Sequence, residues 1–153
     1  MEELIKLMNV CLANTFVFYF KAHGFHWNVE GINFPLYHSF FGDLYEDLYG
    51  AVDPMAEEIR ALDVYAPSGL NELYTHASIS DSTIKGPAVA EMVEEALKDN
   101  TTLVADLTKA FAIATRENKQ GLADFIAGRI DTHKKHEWID RKSTRLNSSH
   151  SSV

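Results

Sequence analysis

The sequence predicts an all-α protein: a four-helix bundle with a short extra helix in the long crossover between its second and third long helices. Three observations carry this. Apolar residues recur at three- and four-residue spacings through four long stretches. Only 8 Gly and 4 Pro occur in 153 residues, too few for a turn-rich sheet protein. One punctuated segment, 66–87, is long enough to carry the chain between parallel neighbours of a bundle.

The first helix is expected over 2–29, with Leu4, Leu7, Met8, Cys11, Leu12, Thr15 and Tyr19 on one face. Phe16, Val17, Phe18 and Phe20 widen the stripe almost all round, so this helix should be buried on most sides, against a second chain as well as its own. A break follows at 30–33, where Asn33 can cap the next helix and Pro35 suits its first turn. The second helix should span 34–62, with Pro54 kinking or locally unwinding it. Within the crossover, 69–76 can form one short helix. Pro87 suits the first position of a third long helix reaching about 114, and 117–139 forms the fourth. The bundle thus occupies 1–140. The remainder, 141–153, loses the helical period and is Ser-rich, so a disordered tail is expected there. Its string RKSTRLNSSHSS resembles a translated sequencing adapter, reads as non-native, and stays outside functional reasoning.

Charge and cysteine content narrow the function classes. Lys and Arg number 14 against 22 Asp and Glu, a formal net charge of −8. The tail holds Arg141, Lys142 and Arg145 and no acid, so the body is more acidic still. Such a body repels a phosphate backbone and suits a protein that handles cations. The single Cys11 excludes an internal disulfide framework and a Cys-based zinc finger. No run reaches the roughly 18 to 20 continuous apolar residues of a membrane span. Glu2 and Glu3 stand where a signal peptide carries positive charge, so a cytoplasmic protein is expected.

Two regions concentrate metal-ligating residue types: one holds His23, His26 and His38, the other Asp53, Glu57 and Glu58. Asp53 and Glu57 are four apart and share a helix face, where two carboxylates can hold a hard divalent cation; an imidazole nearby shifts the preference toward iron or zinc. His38 and Asp53, fifteen residues apart, face a similar side but lie about 22 Å apart along the axis. They cannot hold one ion within one chain. A second copy packed antiparallel across a twofold axis would bring His38 of one chain to Asp53 and Glu57 of the other. Spacing makes that site possible, not necessary. On spacing alone, Asp53 and Glu57 form a solvated face, His23 and His26 pack a loop, Trp27 anchors a core, and 133–136 is a solvated, weakly basic face. Glu-x-x-His, His-Glu-x-x-His and phosphate-loop patterns are all missing.

The combination His26-Trp27-Asn28-Val29-x-Gly31-x-x-Phe34-x-x-x-His38, then Asp53-x-x-Ala56-Glu57, resembles the signature of the Dps miniferritins, and a weaker similarity extends over 5–140, including Asp131-x-His133. The resemblance implies a ferritin-like bundle assembled as a hollow dodecamer. It implies a ferroxidase that oxidises Fe2+ at twofold interfaces, with hydrogen peroxide preferred over O2, and stores ferric mineral. Carried over, His26 and His38 would be the imidazole ligands from one subunit, Asp53 and Glu57 the carboxylates from its mate, and Trp27 a nearby acceptor of oxidising equivalents. Many members carry an Asp four residues after the second His. Here that position is Gly42, with Asp43 and Glu46 near, which puts the second iron in doubt. Acidic residues such as Asp124 and Asp131 would line a threefold cation pore. A Lys-rich N-terminal arm for DNA is not seen in MEELIKLMN, so DNA binding is not expected. The rival readings are a nucleoid-binding protective protein and a structural bundle with a degenerate metal site.

Overall fold

The computed structural model describes the backbone of residues 1–151 and the side chains of 1–143. The chain folds into four long helices, α1 (Glu2–Asn28), α2 (Phe34–Ala61), α4 (Val89–Arg116) and α5 (Gln120–Ser151), with the short α3 (Leu70–His76) in the crossover between α2 and α4. This is the expected ferritin-like fold class, with α4 and α5 as the third and fourth long helices.

α1 is the central element, packed against α2, α4 and α3, while α5 packs on α4. The five-residue turn between α1 and α2 makes them antiparallel neighbours. The α4–α5 turn does the same. There Asn118 takes φ +60°, and Lys119 N–H donates to the Ala114 carbonyl at 2.8 Å, a left-handed stop that reverses the chain at once. Leu4, Met8, Leu12 and Phe18 of α1 meet Phe41, Leu48, Met55 and Ile59 of α2 and Leu103 and Leu107 of α4 in one core, each no more than 2% exposed. Burial of each such side chain contributes roughly 1.5–3 kcal/mol.

The crossover is tied down at both ends. Asn14, fully buried in α1, donates through Nδ2 to Ser78 Oγ and to Asp106 Oδ2, both at 2.9 Å, and accepts the backbone N–H groups of Ser78 and Ile79. Each polar atom of this amide has a partner, as a buried amide requires. Gly86, at φ +87°, donates to Asn28 O at 2.9 Å and accepts from Glu30 N–H at 3.2 Å, clamping the crossover's end to the α1–α2 turn. Only glycine takes that φ without strain. A tight turn from Gly86 O to Ala88 N–H follows, so α4 begins at Val89 with Ala88 as cap, and Pro87 precedes the helix rather than opening it.

Several expectations are corrected. α2 runs unbroken through Pro54, without the expected unwinding. Pro54 and Gly50 lie on the exposed side, where the carbonyl that loses its donor can take water. Asn33 precedes α2 without a side-chain capping bond. α1 is, by length and mean hydropathy, apolar enough to cross a membrane, but half of its apolar window is buried in the bundle and buried Asn14 and Lys21 bond to neighbouring helices. It is a core helix. The backbone continues as helix to Ser151, into the stretch expected as a tail; 152–153 and the side chains from 144 lie outside the described residues.

The segment 133–136 is not the uniformly solvated face expected. His133 is fully buried. Arg129 can only donate, so its contact at 3.0 Å makes His133 Nε2 an acceptor. His133 Nδ1–H then donates to Asn100 Oδ1 at 2.8 Å, and Asn100 Nδ2 returns a bond to the His133 carbonyl at 2.8 Å. Asp47 of α2 accepts from Arg129 at 2.9 and 3.1 Å and pairs with His136 at 2.8 Å, so this knot joins α2, α4 and α5. Lys134 and Lys135 remain exposed. Burial pulls the Asp47 carboxyl upward, but hydrogen bonds from His136 and Arg129 outweigh it, leaving it well below the usual carboxylate range.

Burial, with Arg129 and His136 adding to it, lowers His133 from 6.5 to about 3. The unfolded chain therefore takes the proton first. The stability held by neutral His133 is complete above its ordinary value and is lost as pH falls toward about 3. Acidification from pH 7 to pH 4 is expected to remove on the order of 3 kcal/mol through this group. Urea unfolding of the wild type against His133→Gln checks it: the variant should show a flatter pH dependence over that interval.

Candidate functional site

The α1–α2 hairpin brings together what the sequence separates by twelve residues. His26 sits in the last turn of α1 and His38 in the second turn of α2, and the short connection folds one over the other. Their rings stack with centroids 3.7 Å apart and planes 17° apart. His26 Nδ1 contacts the His38 carbonyl at 2.6 Å, and His38 Nδ1 contacts the His26 carbonyl at 2.8 Å. A carbonyl can only accept, so both Nδ1 atoms carry hydrogen. In the neutral rings, each Nε2 therefore keeps its lone pair. This is how a ligating histidine is oriented by its surroundings: one nitrogen donates to a carbonyl and the other is left for a cation. Phe34 covers His38, at 5.0 Å between centroids.

Gly42 lies beneath His26. A Cβ at that position would stand 3.2 Å from both Cε1 and Nδ1 of the imidazole, so the missing side chain provides the room in which His26 lies. Gly42→Ala is expected to keep the fold, because alanine favours helix over glycine by roughly 0.5–1 kcal/mol. It should push the His26 ring by a few tenths of an ångström and weaken divalent-cation binding by about tenfold. Cobalt titration beside a thermal melt checks both halves: unchanged affinity would show that the ring moves freely.

An aromatic cluster continues from the pair. Tyr45 lies 5.2 Å from His26 and stacks flat on His23, at 3.8 Å and 7°. His23 contacts Trp27 at 4.3 Å and shares a 3.0 Å hydrogen bond with the Tyr19 hydroxyl. Tyr19 lies 5.1 Å from Tyr49 and 6.2 Å from Tyr45. Burial, then the neighbouring His26, lowers the pKa of His23. Burial, then Tyr49 and Tyr45, raises that of Tyr19. Trp27 is 56% exposed, so it is no core anchor. Sequence reasoning missed Tyr19 and Tyr45. Their signal was the spacing of Tyr19, His23 and Trp27 at successive four-residue steps, and of Tyr45 and Tyr49.

Asp53 and Glu57 are exposed on α2, far along the helix from His38. No group of three or more His, Cys, Asp and Glu within metal-binding reach exists among the described residues. One chain thus presents two imidazoles at one place and two carboxylates at another. Asp43, Glu46, Asp124 and Asp131 are likewise exposed. Cys11 is buried, and burial with the nearby Asp106 raises its thiol pKa, so it is no thiolate.

The comparisons with known proteins agree with this architecture. Residues 5–143 match the family model of the ferritin-like domain. The chain is 34% identical to the DNA protection during starvation protein of Brevibacillus brevis, over 87% of this chain and 89% of that one. It is 29% identical to DNA protection during starvation protein 2 of Bacillus anthracis, over 92% and 95%. Among solved structures, the Dps protein of Bacillus brevis superposes with a TM-score of 0.86 at 31% identity, covering 92% of this chain and 94% of that one. Dps from Staphylococcus aureus gives 0.87 at 29%, over 94% and 96%. With the bundle, the short crossover helix and the paired histidines, these matches place the chain in the ferritin-like family, among the Dps miniferritins.

Proposed function

We propose that this protein is an iron-storing ferroxidase. It oxidises Fe2+, with hydrogen peroxide as the preferred oxidant over O2, and retains the ferric product as mineral inside a dodecameric, cytoplasmic cage. The observation that carries this reading is the reciprocal lock of His26 and His38, which leaves both Nε2 atoms free to bind a cation. Neutral imidazoles suit ferrous iron, and carboxylates hold the harder ferric product. The carboxylates are Asp53 and Glu57 of a second copy across a twofold axis, because within one chain they lie too far from His38. Two ferrous ions supply the two electrons that take one peroxide to two waters, so no hydroxyl radical is released. Trp27, exposed beside His23, takes up stray oxidising equivalents.

Two named relatives are DNA-protection proteins. With a net charge of −8, this chain protects DNA by consuming iron and peroxide rather than by coating it. The test is an anaerobic ferrous titration of the full chain followed by a peroxide pulse, read by absorbance. Fast oxidation with soluble, retained ferric iron is expected. Iron that precipitates as in buffer alone would make the degenerate structural bundle the better reading. Tight, salt-resistant retention of duplex DNA would favour the nucleoid-binding one.

A further inference from the structure

We propose that Tyr19 and His23 form a proton-coupled electron donor that supplies the second electron to peroxide when the neighbouring site holds a single ferrous ion. The inference rests on the ferroxidase reading and adds a second redox group to it.

The need arises at Gly42. The helix position one turn after His38 offers no oxygen ligand, and its vacant volume belongs to the His26 ring. The chain therefore provides two imidazoles at this end and no carboxylate wedged between them. A site short of one oxygen ligand spends part of its time with one ferrous ion. One ferrous ion gives one electron, and peroxide needs two to become water.

The cluster beside the site can deliver the other. Tyr19 Oη and His23 Nδ1 are 3.0 Å apart, hydrogen-bond distance for a phenol donating to an imidazole nitrogen. Losing an electron makes a phenol strongly acidic, so oxidation is easy only where a base takes the proton at once. His23 is that base, and its ring is fixed flat against Tyr45. The path from the iron end is short: His26 to Tyr45 is 5.2 Å and Tyr45 to Tyr19 is 6.2 Å between centroids. Tyr49 and Trp27 border the pair on the outer side, both exposed.

The step balances. Fe2+, H2O2, the Tyr19 phenol, neutral His23 and two protons from solvent give Fe3+, the Tyr19 phenoxyl radical, protonated His23 and two waters. The peroxide O–O bond breaks, and one electron comes from iron and one from the phenol. The phenolic O–H bond also breaks, and its proton moves to His23 Nδ1. A later ferrous ion reduces the phenoxyl radical, His23 returns the proton, and the pair is reset.

The test uses full-length protein with one ferrous ion per chain, mixed anaerobically with one equivalent of peroxide and frozen within milliseconds for electron paramagnetic resonance. A tyrosyl radical is expected in the wild type and at least about tenfold less in Tyr19→Phe. A radical of undiminished intensity in Tyr19→Phe overturns the proposal. A second arm omits iron and oxidises the phenol with photogenerated ruthenium(III) tris-bipyridine. Loss of the base in His23→Gln should slow Tyr19 oxidation by about tenfold or more and abolish its kinetic isotope effect in D2O. An unchanged rate overturns the pair. Wild-type protein that fails to oxidise iron but passes the ruthenium arm loses the ferroxidase reading, and with it the electron delivery to peroxide, and keeps only the Tyr19–His23 proton-coupled pair. Normal iron oxidation with a Tyr19-independent radical loses the pair alone.

Discussion

Protein co-assembled from equal amounts of His38→Ala and Asp53→Ala chains is expected to oxidise ferrous iron at about a quarter of the wild-type rate, although each variant alone falls by about 100-fold or more. The reason is where one chain places its ligands. His38 and Asp53 stand about 22 Å apart along α2, so a site built from both, as proposed, draws its imidazoles from one chain and its carboxylates from another. In a homodimer of either variant, both sites lack one ligand type. In a mixed dimer, one site collects both lesions and the other collects none. Random mixing makes about half of the dimers mixed, and half of their sites are whole. Refolding the variants together and comparing them with the same proteins combined only after folding checks the result. Recovery in the first mixture and not in the second identifies an intersubunit site. No recovery in either, with normal assembly, would show that the two lesions do not fall in separate sites and would overturn the intersubunit arrangement.

The parts of this molecule that were legible in the sequence are those governed by local rules. α2 and α3 begin and end within a residue of their expected bounds because the chain punctuates them with Asn33, Pro35 and Gly69. The pairing of His26 with His38 was within reach too, since a short turn between two amphipathic helices folds such neighbours together. The rest depended on which faces meet. His133 looked solvated because Lys134 and Lys135 flank it, yet a single residue's rotation along α5 separates a buried ring from two exposed ammonium groups. Its partner Asn100 is thirty-three residues away and carries no local sign. The stack of His23 on Tyr45 is likewise a matter of helix register. Gly42 was visible as a missing carboxylate, but that its absence makes room for His26 appears only in three dimensions.

Lys21→Met is expected to cost about 3–5 kcal/mol, the largest loss of stability from any single substitution considered, and to lower the thermal midpoint by about 10 °C or more. Lys21 is 4% exposed and holds Asp99 at 2.7 Å and Glu95 at 2.8 Å, joining α1 to α4. Burial raises the pKa of Asp99 despite the hydrogen bond and attraction of Lys21, so desolvation already outweighs the ion pair. Methionine would fill the space of the lysine stem and leave that carboxylate without its buried ion-pair partner, with only the exposed Lys98 nearby. The direction with pH follows. A carboxyl whose folded pKa is raised adds stability below its ordinary value and loses it as pH rises through the folded value. Removing Lys21 raises Asp99 further, so the variant should lose most at pH 8 and recover part of the deficit near pH 5. Adding Asp99→Asn should restore stability at pH 8, because the remaining buried group no longer carries charge. Urea unfolding of the three proteins at the two pH values separates this from lost packing: a deficit equal at both pH values, and unrelieved by Asp99→Asn, would mean that the lysine stem matters and its charge does not.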